Sequence, residues 1–355
     1  MRLSLPVIES EPEPVGPTPS PARTPRPTGL IDSHGRTIRD LRLSLTDRCN
    51  FRCVYCMEPD QKFMPTDRVM QPAEIERIAR MAISLGVRTI RLTGGEPTVR
   101  PDLISIVKRL SRLDLDDLAM TTNGACDPDL IPQLRRAGLR RITFSLDTLD
   151  PDLYATMTRS RIQPEQVVQN IQRAAEIGLD PVRINAVILK DVNESSIIPL
   201  VEMVRTIGVE LRFIEFMPLD GARGWGPERF VPNHHIRELI EQRYALIPLR
   251  RDHRSATAHR FAFADGTPGG IGCVSPVSEP FCGQCSRLRI TANGQVVPCL
   301  FGRAEADLLH PMRAGADDAT IAGLLWNAVE RKQAGHGIGT TDFERPSRAM
   351  NAIGG

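Results

Sequence analysis

Cys49, Cys53 and Cys56 lie within eight residues, and Cys282, Cys285 and Cys299 form a second, later group. Only Cys126 and Cys273 of the eight cysteines stand apart, and they read as ordinary small side chains. Thiols grouped at ligand spacing point to metal, and a chain expected in the cytosol has little use for stable disulfides. Three thiolates on one loop can occupy three corners of an iron–sulfur cubane, whose complete form takes four cysteines. One iron then stays open to a small molecule. Zinc is the alternative for the first triad, but it needs a fourth ligand, and no His or Cys lies close by. For the second triad zinc remains open, with Cys273 or His310 as the fourth ligand beside the C-x2-C pair.

The first triad follows directly on a short apolar run, Leu41 to Leu45, that reads as a strand. Strand-like runs continue at Thr89–Thr93, Leu118–Thr122, Arg141–Leu146, Val182–Ile188 and Glu210–Phe216. Helical periodicity lies between them, at Pro72–Leu85, Asp102–Leu113, Pro128–Ala137, Pro164–Ile177 and Ser195–Ile207. Strand then helix, repeated about six times, implies parallel strands with right-handed crossovers. An eightfold barrel typically takes about 250 residues, so the expected α/β fold is an incomplete six-unit (βα) barrel over residues 30–220. Residues 221–355, Gly- and Pro-rich with one helix at Pro232–Arg243, are expected to pack across the barrel mouth. Residues 1–29 hold eight prolines and little apolar pattern, which reads as an extended, disordered tail.

The C-x3-C-x2-C spacing, with Tyr55 before the last cysteine, resembles the radical S-adenosylmethionine superfamily, as does Gly94-Gly95-Glu96-Pro97 after the second predicted strand. The likeness narrows to the GTP 3′,8-cyclase family of molybdenum cofactor synthesis. It is carried by Asp32-Ser33-His34-Gly35-Arg36, Leu41 to Cys56, Arg91 to Pro97, Thr121-Thr122-Asn123-Gly124 and Phe144-Ser145-Leu146-Asp147. Phe213 to Pro218, Phe281 to Arg289 and the terminal Gly354-Gly355 extend it. The resemblance implies two [4Fe–4S] clusters. One, on Cys49, Cys53 and Cys56, would cleave S-adenosylmethionine; the other, on Cys282, Cys285 and Cys299, would hold the purine of GTP. The radical would remove the ribose 3′ hydrogen, and the ribose carbon would then attack C8 of guanine.

By the same resemblance Tyr55, Gly95, Ser145 and Met217 line the S-adenosylmethionine site. Arg42, Arg91, Thr122, Arg183, Arg287, Leu288 and Arg289 contact GTP, and Gly354-Gly355 reaches into the active site as a side-chain-free probe. It further implies a flavodoxin- or ferredoxin-like electron donor, a downstream cyclic pyranopterin monophosphate synthase and a homodimer. Two departures from the family bear on phosphate binding. Arg183 stands where many members have lysine, which keeps the charge, and Thr89 where relatives can carry a basic residue. Arg88 is the neighbour that could compensate for Thr89.

Composition limits the other classes. Lys plus Arg total 45 against 43 for Asp plus Glu, so the net charge of +2 does not suggest nucleic-acid binding. No apolar run approaches the roughly 18 residues of a membrane span. The short apolar stretch Leu3–Ile8 runs at once into Glu9, Glu11 and Glu13, unlike a signal peptide, so a cytoplasmic protein is expected. Two rival readings remain. A peptide-modifying radical enzyme with an auxiliary cluster would generally need more cysteines, and a zinc-binding module would make both triads structural. The basic stretch Arg250 to Arg254 reads as an exposed loop, with phosphate steering as the lesser option.

Overall fold

The computed structural model describes residues 29–354 except 220–223, 252, 254, 342 and 347. The Pro-rich tail through residue 28, Gly355 and the expected boundary at 220/221 therefore lie outside the described residues.

Six parallel strands follow one another in space as in sequence: β1 (Asp40–Ser44), β2 (Thr89–Thr93), β3 (Asp117–Thr122), β4 (Arg141–Ser145), β5 (Val182–Ile188) and β6 (Glu210–Glu215). Helices α1 (Pro72–Ser84), α2 (Leu103–Leu110), α3 (Leu130–Ala137), α4 (Pro151–Thr158), α5 (Pro164–Glu176) and α6 (Ile197–Ile207) connect them. Alternation fixes the two faces of every strand. Leu41, Leu43, Ile90, Leu92, Leu118, Met120, Ile142 and Phe144 are buried and pack in the core with helix residues such as Ile75, Ile78 and Ile106. The intervening residues (Arg42, Arg91, Thr121, Thr143, Asn185 and Arg212) turn inward and line the barrel lumen.

The C-terminal region does more than cover the mouth. After α7 (Asn233–Glu241), strands β7 (Leu246–Leu249), β8 (His259–Phe263) and β9 (Gly270–Val274) form an antiparallel group in which β9 lies parallel to β6. On the opposite edge β10 (Arg287–Ile290) lies parallel to β1, followed by antiparallel β11 (Gln295–Val297) and β12 (Ala306–Asp307). Among the described residues the result is one twelve-stranded sheet, β12-β11-β10-β1-β2-β3-β4-β5-β6-β9-β8-β7. Eight of its strands run parallel, yet β9 and β10 do not pair, so the barrel is open, as an incomplete barrel should be. Helices α8 (Leu309–Arg313) and α9 (Asp318–Glu330) follow, and α10 (Met350–Ile353) brings the chain back to β1 and β2.

Candidate functional site

The first cysteine loop leaves the end of β1 and is pinned on both sides. The Arg52 and Val54 amides donate to the Thr158 and Met157 carbonyls at the end of α4. The Arg52 guanidinium donates to the Cys49 and Phe51 carbonyls, both at 2.8 Å, and stacks over Phe63. The Gly94-Gly95 turn after β2 packs against this loop. A Cβ at Gly95 would lie 2.4 Å from the Arg48 carbonyl oxygen, and one at Gly94 2.5 Å from that of Thr46. The pair is thus required first by backbone-to-backbone contact, sealed by bonds from the Gly95 and Glu96 amides to Thr46 and Arg48.

Two carboxylates stand behind the loop. Glu96, 1% exposed, accepts from the Thr98 and Asn123 amides and from the Thr98 and Thr122 hydroxyls. Asp147 accepts from the Tyr55 hydroxyl at 2.6 Å and from the Val187 amide. Burial pushes the Asp147 carboxyl up to about 6 despite these donors. The thiols share that setting. Burial raises Cys49 to about 11 and Cys56 to about 12, and Cys53 rises with the repulsion of Cys56 and Asp147 added. Isolated thiolates are poor company here; a positively charged partner would relieve them.

The second triad lines the lumen. Cys282, Cys285 and Cys299 line one cavity with Phe281, Phe301, His336, Arg287, Arg289, Lys332 and Met217. Burial pushes the Cys285 thiol up, but Arg287 and Lys332 outweigh it and bring the thiol down to about 7. His336 accepts the Ile338 amide on Nδ1, which leaves Nε2 to donate to the Pro276 carbonyl at 2.8 Å; the ring stands 5.2 Å from Phe301. Cys273 is buried on β9 near Arg237 and Glu279, and His310 is exposed in α8. Neither lines this cavity. Among the described residues, no group of three or more His, Cys, Asp or Glu side chains is closed up as around one ion. The fit of each triad therefore rests on its donor set: three thiols, on one loop in the first triad and on the segments before β10 and after β11 in the second, suited to a cluster with one open iron.

Beside the second triad the lumen is lined by arginines. Strand register sets Arg289, Arg42 and Arg91 side by side on β10, β1 and β2. Like charges at one level of a sheet oppose folding, so the row is built for an anion. Burial and mutual repulsion lower all three, Arg42 to about 10. Towards the strand starts the lumen continues past Arg141, Arg183, Arg212, Arg260 and Arg287. Glu210 gathers Arg212, Arg183 at 3.5 Å and Arg260 at 2.9 Å. Asp117 pairs with Arg141 and Asp40 accepts from Thr89 and Ser286, so three carboxylates face eight arginines.

The sequence-predicted residues separate accordingly. Arg42, Arg91, Arg287 and Arg289 line the first cavity, and Arg183 the inner one. They stand inside the lumen rather than at the C-terminal strand ends. Thr122 is turned outward onto Glu96, while Thr121 enters the cavity and accepts from Arg91 at 3.2 Å. Leu288 is fully buried in the core, leaving only its backbone near the lumen. Ser145 ends β4, and Tyr55 reaches Asp147. Thr89 lines the inner cavity, but Arg88 pairs with Asp114 at the surface and cannot compensate for it; Arg141 and Arg260 supply charge there instead. His253 also lines this end, so one residue of the basic stretch does face the lumen. The C-terminal segment joins the first triad to the arginine row. The Asn351 amide bonds the Cys56 thiol and its side chain donates to the Asp47 carbonyl, while the Gly354 carbonyl accepts from Arg289 at 2.8 Å. Glu96, Asp147, Arg141, Arg212, Arg260 and Lys332 went unassigned in the sequence; alternation along the predicted sixth strand could have found Arg212, whereas Arg260 sits on β8, which carried no local signal.

An open parallel barrel with a cysteine loop after its first strand defines a radical S-adenosylmethionine protein, and residues 43–204 match the Radical SAM superfamily. Streptococcus suis SuiB bound to S-adenosylmethionine shares the fold, with TM-score 0.58 and 18% identity over 81% of this chain and 68% of that one. Residues 209–338 match Molybdenum Cofactor Synthesis C. A GTP 3′,8-cyclase of Rhodopirellula baltica is 42% identical over 94% of both chains. One from Xanthomonas campestris is 43% identical over 92% of this chain and 97% of its own, and the mitochondrial enzyme of Arabidopsis thaliana is 40% identical over 92% and 83%. The chain belongs to the GTP 3′,8-cyclase family. Among the described residues no helix is long and apolar enough to cross a membrane.

Proposed function

We propose that the chain converts GTP to (8S)-3′,8-cyclo-7,8-dihydroguanosine 5′-triphosphate, the first step of molybdenum cofactor synthesis, in the cytosol and with an external one-electron donor. The observation that carries this reading is the Arg289–Arg42–Arg91 row sharing one cavity with the second cysteine triad, on strands of which β1 leads directly into the first. Cys49, Cys53 and Cys56 would hold one cluster and Cys282, Cys285 and Cys299 the other. When bound, the first cluster and S-adenosylmethionine supply a carbon-centred radical that takes a hydrogen atom from the substrate.

The chain's own residues bind, orient and shield. Asp147 and Glu96 give the first loop a negative background that suits a sulfonium cation, with Tyr55, Gly95, Ser145 and Met217 around it. Phe281, Phe301 and His336 give the second triad flat, largely apolar walls for a purine. Arg42, Arg91, Arg287 and Arg289 take the phosphates, with Thr121 in place of Thr122 and with Arg183, Arg212, Arg141 and Arg260 towards the inner end. Each charged hydrogen bond there is worth about 1.5–3 kcal/mol. The Gly354 end closes the lumen between β1 and β2: at φ +80° a Cβ there would meet Thr93 Oγ1 at 2.6 Å, so only glycine fits.

The test is anaerobic incubation of the reconstituted protein with GTP, S-adenosylmethionine and reductant. Formation of 5′-deoxyadenosine together with a product isomeric with GTP supports the reading. Deoxyadenosine without any change in GTP contradicts it.

A further inference from the structure

Lys332, at the end of α9, is 3% exposed and lines the cavity of the second triad. Its ammonium donates to the carbonyls of Arg287, at 2.8 Å, and of Pro298. Among the described residues no carboxylate comes within ion-pair distance of it. A buried ammonium satisfied only by carbonyls lacks a counter-charge, and burying a lone charge is unfavourable. The charged groups that bear on it are Arg287 and Arg36, which repel, and the thiols of Cys285 and Cys299, which attract.

The neighbouring chain holds the ammonium where it is. Arg36, 8% exposed, pairs with Asp32 at 2.6 Å, and Asp32 also accepts from the His34 and Arg36 amides. The remaining guanidinium donors go to the carbonyls of Cys282, Ala334 and Gln333 at 2.8, 2.8 and 2.6 Å. Gln333 in turn points Nε2 at the Cys299 sulfur, 3.5 Å away. The Asp32–Arg36 turn thus clasps the segment that carries Lys332 to the loop that carries Cys282. Arg36 has its own carboxylate; Lys332 does not.

We propose that Lys332 is the counter-charge of an anionic iron–sulfur cluster on Cys282, Cys285 and Cys299, held against it by the Arg36 clasp. The inference rests on the reading that these cysteines hold a cluster. A fixed positive charge beside a cluster favours its reduced form, so Lys332 tunes this centre and leaves the first untouched.

The experiment compares wild type, Lys332→Gln and Lys332→Arg as full-length reconstituted proteins, by iron and sulfide content and by EPR-monitored redox titration. Wild type should hold about eight irons per chain. Lys332→Gln should move the second cluster to a lower potential, or lose it to chelator about tenfold faster, with the first cluster unchanged. Lys332→Arg should restore both properties. An unshifted second cluster in Lys332→Gln, equal damage to both clusters, or no rescue by arginine overturns the proposal. A wild type with about four irons, all lost on replacing Cys53, would instead remove the second cluster itself and the proposal with it.

Discussion

The two cysteine triads carry the same number of thiols in different electrostatic settings. Around Cys49, Cys53 and Cys56 burial drives the thiols upward, and the carboxylates Glu96 and Asp147 add repulsion. Around Cys282, Cys285 and Cys299 stand Arg287, Arg289 and Lys332, and Cys285 falls to about 7. A cationic sulfonium and a polyanionic nucleotide need these two backgrounds, in that order. Equal thiol counts therefore do not make equal sites; on the proposed reading, the residues behind the thiols would decide which small molecule each triad's cluster receives.

The largest effect expected from this division is loss of function in one half alone. Cys53→Ser should abolish deoxyadenosine formation, whereas Cys299→Ser should retain some cofactor cleavage and stop cyclisation, as measured by chromatography of both products. In metal-free protein at pH about 7.5, iodoacetamide should label Cys285 well ahead of Cys49 and Cys56, because thiolate rather than thiol reacts. Mass spectrometry of the labelled peptides reads the order, and equal labelling would erase the electrostatic contrast. Arg91→Ala should weaken GTP binding about 10- to 100-fold by calorimetry, the value of one or two charged hydrogen bonds, while leaving S-adenosylmethionine binding within error.

A smaller effect belongs to Asp147. Its carboxyl titrates at about 6 rather than the ordinary 3.8, so burial favours the neutral form. The stability this group contributes is full below its ordinary value and is lost as pH rises through about 6. Binding of the cationic cofactor should run the other way, tightening a few-fold as the carboxylate forms. In Asp147→Asn both pH dependences should flatten, read by thermal melts of metal-free protein and by calorimetry of the reconstituted one.

Much of this architecture was legible because the βα alternation is strong. Thr89–Thr93 and Val182–Ile188 match the structure residue for residue, and the other four predicted strands differ by a residue at one or both ends. What escaped was short or non-local. Strands β7 to β12 have two to five residues each and owe their existence to pairing with β6 and β1, which local pattern cannot reveal. Helix α4 did carry a local signal, Asp150 capping the Leu153 amide ahead of Pro151, and was missed even so. At the site, all six cysteines proposed as cluster ligands were grouped by spacing alone. Choosing Thr121 over Thr122 needed the strand's face, and the Arg36 and Lys332 contacts join residues roughly 250–300 and 35–45 positions apart. Neither separation leaves a trace in periodicity.

The central claim is that each triad serves a different ligand, and single-cluster proteins test it most directly. One variant replaces Cys282, Cys285 and Cys299 with alanine, the other Cys49, Cys53 and Cys56, and each reconstituted protein is titrated calorimetrically with S-adenosylmethionine and with GTP. The account predicts that the first variant keeps S-adenosylmethionine binding and loses most GTP affinity, and that the second does the reverse. Binding of both ligands to the same surviving triad, or exchange of the two, would contradict it.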